Sequence, residues 1–476
     1  MHFMCRIISL LNRNQPVLFI VIFLTLSNSA LTQSDDVDAL FLKSIYDESL
    51  GNGMSYNWLR QLCKEAGPRL AGSTAYDDAV EVTSSQLRSV QGVKVWLQES
   101  TVEHWARGKK EKAVAMFEKG KSLNLHVLAL GNSVGTGSKA VTAEIIEVKS
   151  LDEVDQLGKE KIKGKIVFYN RPMDATKLHT FHAYGGAVDQ RVYGASKAAE
   201  YGAVGVLVRS MTTRKDDYPH TGTLVYRDGI EKIPALAVST NDADKLSQAL
   251  QSQWVRVKME SHCGQQGQKM VQSVIGEIRG SKFPDEIILI GGHLDAWDVG
   301  QGAHDDGSGC VQSMDVLRNL LALGYKPKRT IRCVLFANEE NGLAGAKEYA
   351  RVSNVKKEFH VAAIESDAGG FSPRGFGFDG DTSVLKTYYK YVSDKFLPLL
   401  ESYDLNMKLG GGGADIGPLK SQKGLLIGLR PDSQRYFDFH HTTIDTFDAV
   451  NERELKLGSA AMTSLVYLID KYGIGR

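Results

Sequence analysis

The second half of the chain contains five groups of acidic and histidine residues that together could bind metal ions. Each group follows or interrupts an apolar run of the kind that forms a buried strand. Two histidines and three or four carboxylates at the ends of separate strands can bind a pair of zinc ions and leave one position for water. The groups are His293 with Asp295, Asp305 with Asp306, Glu339 with Glu340, Glu365 with Asp367, and His440 with His441.

His293 and Asp295 are separated by one residue, directly after the apolar run 287–290. Because alternate residues of a strand face the same side, both side chains are expected to project together. The carboxylate of Asp295 could then hold one ring nitrogen of His293 while the other ring nitrogen binds metal. Taken alone, a histidine at a strand end is more often a hydrogen-bonded surface residue.

The adjacent pairs Asp305-Asp306 and Glu339-Glu340 each allow two interpretations. Asp305 and Asp306 precede a predicted helix, where acidic side chains often cap free backbone amides. The glycines on either side would also let one of these carboxylates bridge two cations. Glu339 and Glu340 could simply stabilise the positive end of a helix. They also follow an apolar strand, so one could bind metal while the other acts as a general base toward water.

Asp367 and His441 complete the predicted site. Asp367 follows the predicted strand 360–364, and His441 precedes two threonines. Either residue alone could be an ordinary polar loop residue. Together with His293 and one of the glutamates, however, they are explained most simply by a two-zinc site that has Asp305 in the middle.

Alternating strands and helices must position these groups. From residue 268 onward, short apolar runs alternate with longer amphipathic stretches, which is typical of an α/β domain. The candidate ligands follow the predicted strands 287–290, 330–337 and 360–364. Open α/β sheets place their active sites at the carboxyl ends of such strands. The expected fold class is therefore α/β, with a three-layer αβα domain that carries the site.

The length of 476 residues exceeds what one hydrophobic core usually holds, which predicts more than one domain. Residues 1–30 are predicted to be a secretory signal peptide, because two arginines precede a short apolar run and small residues follow it. Residues 31–122 are expected to form the N-terminal part of the α/β domain, with a short propeptide possible at its start. The segment 123–267 is β-rich and is expected to be an insertion, and 268–476 carries the metal site.

Charge and cysteine content exclude several classes of protein. The chain has 57 Lys and Arg against 56 Asp and Glu, a balance that indicates no nucleic-acid partner. The cysteines left after signal removal are too scattered for a disulfide framework, although a bridge between Cys63 and Cys263 stays open. No run after the signal is long and apolar enough to span a membrane. We therefore expect a protein of the secretory pathway, either secreted or lysosomal.

As a set, these motifs resemble the co-catalytic zinc aminopeptidase and glutamate carboxypeptidase family. The similarity covers nearly the whole chain after the signal segment, including Gly67-Pro68-Arg69 and Pro219-His220-Thr221-Gly222. It implies a mixed central sheet, a protease-associated domain as the insertion, a cis peptide bond between Asp305 and Asp306, and a homodimer. For the metal site, it implies that His293 and Asp367 bind one zinc, Glu340 and His441 bind the other, Asp305 bridges both, Glu339 is the general base and Asp295 lies behind His293.

The resemblance implies an exopeptidase that hydrolyses short peptides, in particular dipeptides with free termini. Two zinc ions would hold the attacking hydroxide between them, and Glu339 would accept the proton of the water. The alternatives are a single-zinc glutaminyl cyclase of the same architecture and a non-catalytic, receptor-like family member. The complete set of ligands and the presence of the base argue against both alternatives.

Two further residues near these motifs have open interpretations. Asp415, in the glycine-rich stretch 410–417, could anchor the amine of a substrate or could be a turn residue. His440 stands directly beside His441, and the resemblance favours His441 as the ligand.

Two motif matches are given structural interpretations. The stretch 375–380 fits the dinucleotide-binding pattern of spaced glycines but neither follows a clear strand nor opens a helix, so we interpret it as a β-turn segment. His179 and His182 have the spacing of a helical metal pair without a partner carboxylate cluster. We interpret them as structural residues.

Overall fold

The computed structural model describes residues 36–476, so the predicted signal peptide lies outside the described residues. The strands in chain order are β1 (Lys94–Ala106), β2 (Lys112–Phe117), β3 (Ser122–Leu125), β4 (Val127–Ala129), β5 (Val141–Val148), β6 (Ile166–Tyr169), β7 (Gly205–Arg209), β8 (Ala235–Val238), β9 (Val255–Glu260), β10 (Gly264–Ile278), β11 (Phe283–His293), β12 (Arg329–Phe336), β13 (Phe359–Glu365), β14 (Pro373–Gly380), β15 (Asn406–Leu409) and β16 (Leu425–Pro431). The helices are α1 (36–52), α2 (Ser55–Glu65), α3 (Thr74–Ser89), α4 (Leu151–Ile162), α5 (Thr180–Gly185), α6 (Asp189–Glu200), α7 (Thr240–Leu250), α8 (Ser308–Ala322), α9 (Ala344–Lys356), α10 (Leu385–Leu400), α11 (Tyr436–Phe439) and α12 (Glu452–Tyr472).

The first sheet is mixed and has eight strands in the order β1-β10-β12-β11-β13-β16-β14-β15. Its centre is parallel, since β11 pairs in parallel with both β12 and β13. The register places Gly291 opposite Glu365 and His293 opposite Phe336. The carboxyl ends of these three strands therefore meet at one edge of the sheet, where the predicted ligands are located.

Helices cover both faces of this sheet. On one face, Ile288 and Ile290 of β11 pack in the same core as residues of α8 and α12. On the other face, Leu289 packs with Ala346 and Ala350 of α9. This alternation along one strand is what a sheet buried on both sides requires. The predicted α/β class, with a three-layer arrangement around a mixed sheet, is confirmed.

A second sheet of eight strands, in the order β3-β2-β9-β5-β6-β7-β8-β4, is built from the chain between Lys112 and Glu260. Its centre, β5 to β8, is parallel, and the apolar clusters packed against it also include residues from outside this segment, such as Trp297 and Phe437. Strands β1 and β10 of the first sheet flank this segment and pair with each other in antiparallel fashion. The assignment of the segment as a protease-associated insertion with bounds 123–267 stays a prediction.

The stretch 375–380 differs from the sequence-based expectation. It lies within β14, which pairs with β16 on one side and β15 on the other, so the prediction of a β-turn segment was wrong. Glycine allows a close backbone approach here, since a Cβ atom at Gly377 would lie 2.3 Å from the carbonyl oxygen of Gly410. Spaced glycines in this strand therefore serve packing between strands rather than a turn.

Two further observations concern the cysteines and the membrane. Cys63, Cys263, Cys310 and Cys333 are all buried and free, so the structure does not contain a bridge between Cys63 and Cys263. Among residues 36–476, no helix has both the length and the apolar character needed to cross a membrane.

Candidate metal centre and active site

The predicted ligands converge at the carboxyl edge of the first sheet. His293 is the last residue of β11, and Asp367 follows β13 by two residues. Glu339 and Glu340 follow β12, and Asp305 lies in the irregular turn Ala303–Gly307 that precedes α8. His441 follows the short helix α11. These residues come from five separate segments of the chain.

The two carboxylate oxygens of Asp305 face two different groups of ligands. Oδ1 lies 3.2 Å from Nε2 of His293, which in turn lies 3.5 Å from Oδ1 of Asp367. Oδ2 lies 3.2 Å from Nε2 of His441, which lies 3.2 Å from Oε2 of Glu340. Asp305 therefore stands between a His293-Asp367 pair and a Glu340-His441 pair.

This donor set fits a pair of divalent cations. Oε1 of Glu340 is buried without a hydrogen-bond donor among the described residues, and the buried Oδ2 of Asp305 faces the imidazole of His441 at 3.2 Å. The ligand atoms of His293, Asp305 and Glu340 lie within 4.8 Å of one another. Buried carboxylates without partners are costly unless they are paired or coordinate a metal, and mixed nitrogen and oxygen ligands suit zinc.

The pKa values of these residues reflect the excess of negative charge. Burial lowers the pKa of His441, but Glu340 and Asp305 outweigh it and raise the pKa to about 10. Burial also raises the pKa of Asp305, but hydrogen bonds from His293 and His441 bring it well below its usual value. Burial and the charge of Asp305 raise the pKa of Glu340 to about 7. The buried histidines and carboxylates of this cluster therefore stabilise each other's charged forms.

Asp306 and Asp445 fix the backbone around Asp305. The carboxylate of Asp306 accepts hydrogen bonds from the amides of His293, at 3.1 Å, and Gly309, at 3.0 Å. Of the two interpretations of this pair, capping of backbone amides therefore applies to Asp306, whereas Asp305 faces the candidate ligands. Asp445 accepts hydrogen bonds from the amides of His304, at 2.8 Å, and Asp305, at 3.1 Å. The peptide bond between Asp305 and Asp306 is cis, as the resemblance implies.

The backbone of Asp295, rather than its carboxylate, contacts the ring of His293. Nδ1 of His293 donates to the backbone carbonyl oxygen of Asp295, at 2.9 Å, while the nearest carboxylate oxygen of Asp295 is 3.9 Å away. The carboxylate instead accepts hydrogen bonds from the amides of Glu339, at 3.0 Å, and Glu340, at 3.3 Å. Asp295 therefore orients the imidazole through its main chain and the two glutamates through its side chain.

The second sheet orients the other histidine. Nδ1 of His441 donates to the carbonyl oxygen of Thr221, at 3.3 Å, and the amide of Thr221 donates to the carbonyl oxygen of His441, at 3.0 Å. His440 stacks on His441 with 3.5 Å between ring centroids, but its Nε2 lies 3.7 Å from Asp305, farther than Nε2 of His441. His441 is thus better placed than His440 to bind a metal ion together with Asp305.

Glu339 belongs to neither pair of candidate ligands and instead lines a cavity. The cavity, of about 520 Å³, is also lined by Asp305, Glu340 and Asp367 at the edge of the first sheet. Burial, followed by the charges of Asp367 and Glu340, raises the pKa of Glu339 well above its usual value. A carboxylate in such surroundings accepts a proton more readily than one in water.

A second cavity, of about 610 Å³, lies on the side of Asp367 and is lined by His179, His182 and the glycines 410–413. Glu365 holds the glycine-rich loop by accepting hydrogen bonds from the amides of Ala414 and Ile416, both at 2.9 Å. His179 and His182 thus border the site, and their interpretation as structural residues stays untested.

Asp415 is only 1% exposed, and neither of its carboxylate oxygens has a hydrogen-bond partner within the described chain. Burial, followed by the charges of Glu365 and Glu339, raises its pKa well above its usual value. It is not among the residues that line the two cavities described above. Its role as an anchor for a substrate amine stays a prediction.

Comparison with known proteins identifies the family. The sequence profile of Peptidase family M28 matches residues 273–466. Human carboxypeptidase Q is 33% identical to this chain over 439 residues, which cover 91% of this chain and 89% of the human protein. The chain belongs to peptidase family M28. The predicted resemblance is therefore confirmed, and so is the prediction that the protein is a metallo-exopeptidase.

Solved structures agree with this assignment. The crystal structure of a peptidase M28 precursor from Shewanella amazonensis SB2B superposes with a TM-score of 0.85 at 32% identity, covering 92% of this chain and 97% of that chain. A zinc aminopeptidase from Bacillus subtilis superposes with a TM-score of 0.61 at 18% identity, covering 87% of this chain and 94% of that chain. The similarity to the Bacillus subtilis enzyme shows that the two proteins share a fold.

Proposed function

We propose that the protein is a zinc-dependent exopeptidase that hydrolyses short peptides, and that dipeptides with free termini are its main substrates. The observation that carries the proposal is the division of four ligands into two pairs around the carboxylate of Asp305. The names of the relatives support it, since one is a carboxypeptidase and another a zinc aminopeptidase.

In this proposal, His293 and Asp367 would hold one zinc ion, Glu340 and His441 would hold the second, and Asp305 would serve both. When bound, zinc lowers the pKa of a water molecule and polarises the carbonyl of the scissile bond. Backbone contacts from Asp295 and Thr221 keep the ligands in place.

Glu339 is proposed to move the proton. Its carboxylate accepts a proton from the attacking water and delivers it to the nitrogen of the leaving amino group. Two features support this role. Its amide is held by the carboxylate of Asp295, at 3.0 Å, and its surroundings raise the pKa of its side chain.

The metal content of the purified protein tests the proposal against its alternatives. We expect two zinc ions per chain by elemental analysis and cleavage of free dipeptides that is lost on chelation and restored by zinc. One zinc per fully active chain, together with cyclisation of N-terminal glutamine, would indicate the glutaminyl cyclase alternative. A protein that binds zinc but cleaves no peptide from a broad dipeptide panel would fit the receptor-like alternative.

Three further predictions belong to this proposal. The protein is proposed to form a homodimer, and sedimentation that shows only an active monomer at micromolar concentration would contradict this.

The protein is also proposed to enter the secretory pathway through residues 1–30 and to act outside the cell or in the lysosome. Detection of the unprocessed N-terminus on the mature protein by mass spectrometry would contradict signal cleavage.

A further inference from the structure

The glycine-rich loop after β15 forms one wall of the cavity of about 610 Å³ and rests on strands β14 and β16. A Cβ atom at Gly377 of β14 would lie 2.3 Å from the carbonyl oxygen of Gly410. A Cβ atom at Gly428 of β16 would lie 2.4 Å from the carbonyl oxygen of Gly411 and 2.7 Å from that of Gly412. Three successive carbonyl oxygens of the loop are therefore directed at the strands, and the loop can approach only because residues 377 and 428 have no side chain.

The amides of this loop point the opposite way. In a trans peptide unit, the carbonyl of one residue and the amide of the next point in opposite directions. Among residues 36–476, the only cis bond joins Asp305 and Asp306. The amides of residues 411–413 are therefore directed away from the strands, and they have no acceptor within the described chain. These residues line the cavity, so the loop offers it a row of free amide donors.

Two cations border the same cavity. Lys408 at the end of β15 and Arg430 in β16 both line it. Neither forms an ion pair with a carboxylate of residues 36–476, and Arg430 donates only to the side-chain oxygen of Asn406, at 3.3 Å. Burial lowers the pKa of Arg430, and an anion in the cavity would offset this effect.

The nearby carboxylates are already engaged. Those that line the cavity are Glu365 and Asp367. Glu365 accepts two hydrogen bonds from amides that follow the glycines, both at 2.9 Å. Asp367 lies 3.5 Å from Nε2 of His293 in the candidate metal centre, and Asp379 of β14 pairs with Lys420 at 3.2 Å. The wall of the cavity therefore has a surplus of hydrogen-bond donors and positive charge.

The proposed mechanism indicates which part of a substrate reaches this cavity. Glu339 delivers a proton to the leaving amino group, which belongs to the C-terminal residue of a dipeptide, and it lines the cavity of about 520 Å³. Glu339 does not line the cavity of about 610 Å³, which adjoins the candidate metal centre at Asp367. A dipeptide bound across the centre therefore places its N-terminal residue toward the glycine-rich loop.

We propose that this cavity is an anion-binding subsite that accepts the acidic side chain of an N-terminal aspartate or glutamate. The inference rests on the proposed peptidase function and adds a substrate preference to it. The amides of residues 411–413 bind the carboxylate oxygens, and Lys408 and Arg430 supply the positive charge. A neutral side chain leaves these donors unpaired, so the enzyme selects dipeptides that begin with an acidic residue.

The first test compares glutamyl-alanine with its neutral isostere glutaminyl-alanine by the release of alanine. In the wild-type enzyme, we expect kcat/KM to be about 10- to 100-fold higher for the acidic dipeptide. In the double variant Lys408→Met and Arg430→Met, this preference should be largely lost while kcat/KM for alanyl-alanine changes little. Higher ionic strength should weaken the wild-type preference, because these cations are partly exposed.

Two controls locate the acidic group and the charge. The rates for alanyl-glutamate and alanyl-glutamine should not depend on Lys408 or Arg430. If the double variant instead loses a preference for alanyl-glutamate, the assignment to the N-terminal residue is overturned. Arg374→Met is the matched control for charge, because Arg374 lies in β14, pairs with Asp432 at 3.1 Å and does not line the cavity. This variant should keep the wild-type preference.

The role of the loop amides has its own test. The Cβ atom of Gly377→Ala displaces the carbonyl of Gly410, so the preference for glutamyl-alanine should fall although both cations are still present. Gly417→Ala, in the turn after the loop, should keep the preference, since a Cβ atom there would meet no atom within 4 Å. A Gly377→Ala protein with a lower melting temperature but the wild-type preference would overturn the role of the amides.

Binding without turnover separates this inference from the peptidase function. In the background of Glu339→Gln, calorimetry should show about 10- to 100-fold weaker binding of glutamyl-alanine when Lys408→Met and Arg430→Met are added. Equal binding with and without these changes would overturn the subsite, as would equal wild-type rates for glutamyl-alanine and glutaminyl-alanine. A wild-type protein that binds glutamyl-alanine through these cations without cleaving it would contradict only the peptidase function.

Discussion

At the scale of residues, Asp305 organises the site because its two oxygens face two pairs of candidate ligands. That these side chains gather at one edge could be predicted from the sequence, since carboxylates and histidines at strand ends are few. Their supporting contacts could not. Asp295 and Thr221 orient the histidines through backbone carbonyl oxygens, which every residue carries and no sequence pattern distinguishes.

The first prediction separates the general base from a metal ligand. Glu339→Gln should retain both zinc ions and lose about 10²- to 10⁴-fold in kcat, because the amide cannot accept the proton of water. Glu340→Gln should lose zinc, because it removes the charge of a ligand 3.2 Å from His441. Turnover and metal content measured on both variants test this. Near-normal activity in Glu339→Gln would exclude its role as the base.

At the scale of elements, glycines at strand ends allow the site to form. A Cβ atom at Gly292, the residue before His293 in β11, would lie 2.2 Å from Oδ2 of Asp306. That oxygen accepts the hydrogen bond from the amide of His293. The end of β11 and the start of α8 therefore fit together only when residue 292 has no side chain.

The second prediction follows from this close approach. Gly292→Ala should displace the carboxylate of Asp306, destabilise the protein by about 1–3 kcal/mol and weaken metal binding at His293. Gly264→Ala is a suitable control, because a Cβ atom at Gly264 in β10 would have no atom within 4 Å. Chemical unfolding and zinc titration of both variants provide the measurement. Wild-type stability and zinc affinity in Gly292→Ala would contradict this account of the strand end.

The elements themselves were predictable to different degrees. The strands expected over 330–337 and 360–364 lie within one residue of β12 and β13, because a continuous apolar run marks each of them. The strand at 375–380 was missed because its glycines predict a turn when they are considered without their neighbours. Its partners β15 and β16 follow much later in the chain. Pairing over such distances leaves no local signal.

At the scale of the whole molecule, the segments that form the two sheets meet at the candidate metal centre. Arg107, directly after β1, forms an ion pair with Asp298 at 2.6 Å and donates to the carbonyl oxygen of Ala129 in β4 at 2.8 Å. Asp298 follows the His293 motif by a few residues. Gly131 packs against the ring of Trp297, which would be 1.7 Å from a Cβ atom at that position. The segment that forms the second sheet thus supplies Thr221 to a site whose candidate metal ligands all come from the chain around the first sheet. The geometry of the candidate site therefore depends on both segments.

The third prediction concerns how the ends of the described chain hold the fold together. Asp38 of α1 is completely buried and accepts a hydrogen bond from the hydroxyl of Tyr467 in α12, at 2.6 Å. Lys471 and Tyr472 of the same helix also donate to it. Burial raises the pKa of Asp38, but these donors outweigh it and the net pKa lies below the usual value of 3.8.

Because the folded pKa of Asp38 is depressed, its contribution to stability is present above the unfolded pKa and is lost as the pH falls through the folded pKa. Asp38→Asn should therefore lower the free energy of unfolding by about 1.5–3 kcal/mol at pH 7, and the difference from wild type should shrink below about pH 4. Urea unfolding of both proteins across this range measures the difference, so metal loss in acid, which affects both, cancels. Asp47→Asn on the same helix, an exposed partner of Lys43, should change stability by less than about 0.5 kcal/mol. A difference for Asp38→Asn that is independent of pH would show that the charge of Asp38 does not join α1 to α12.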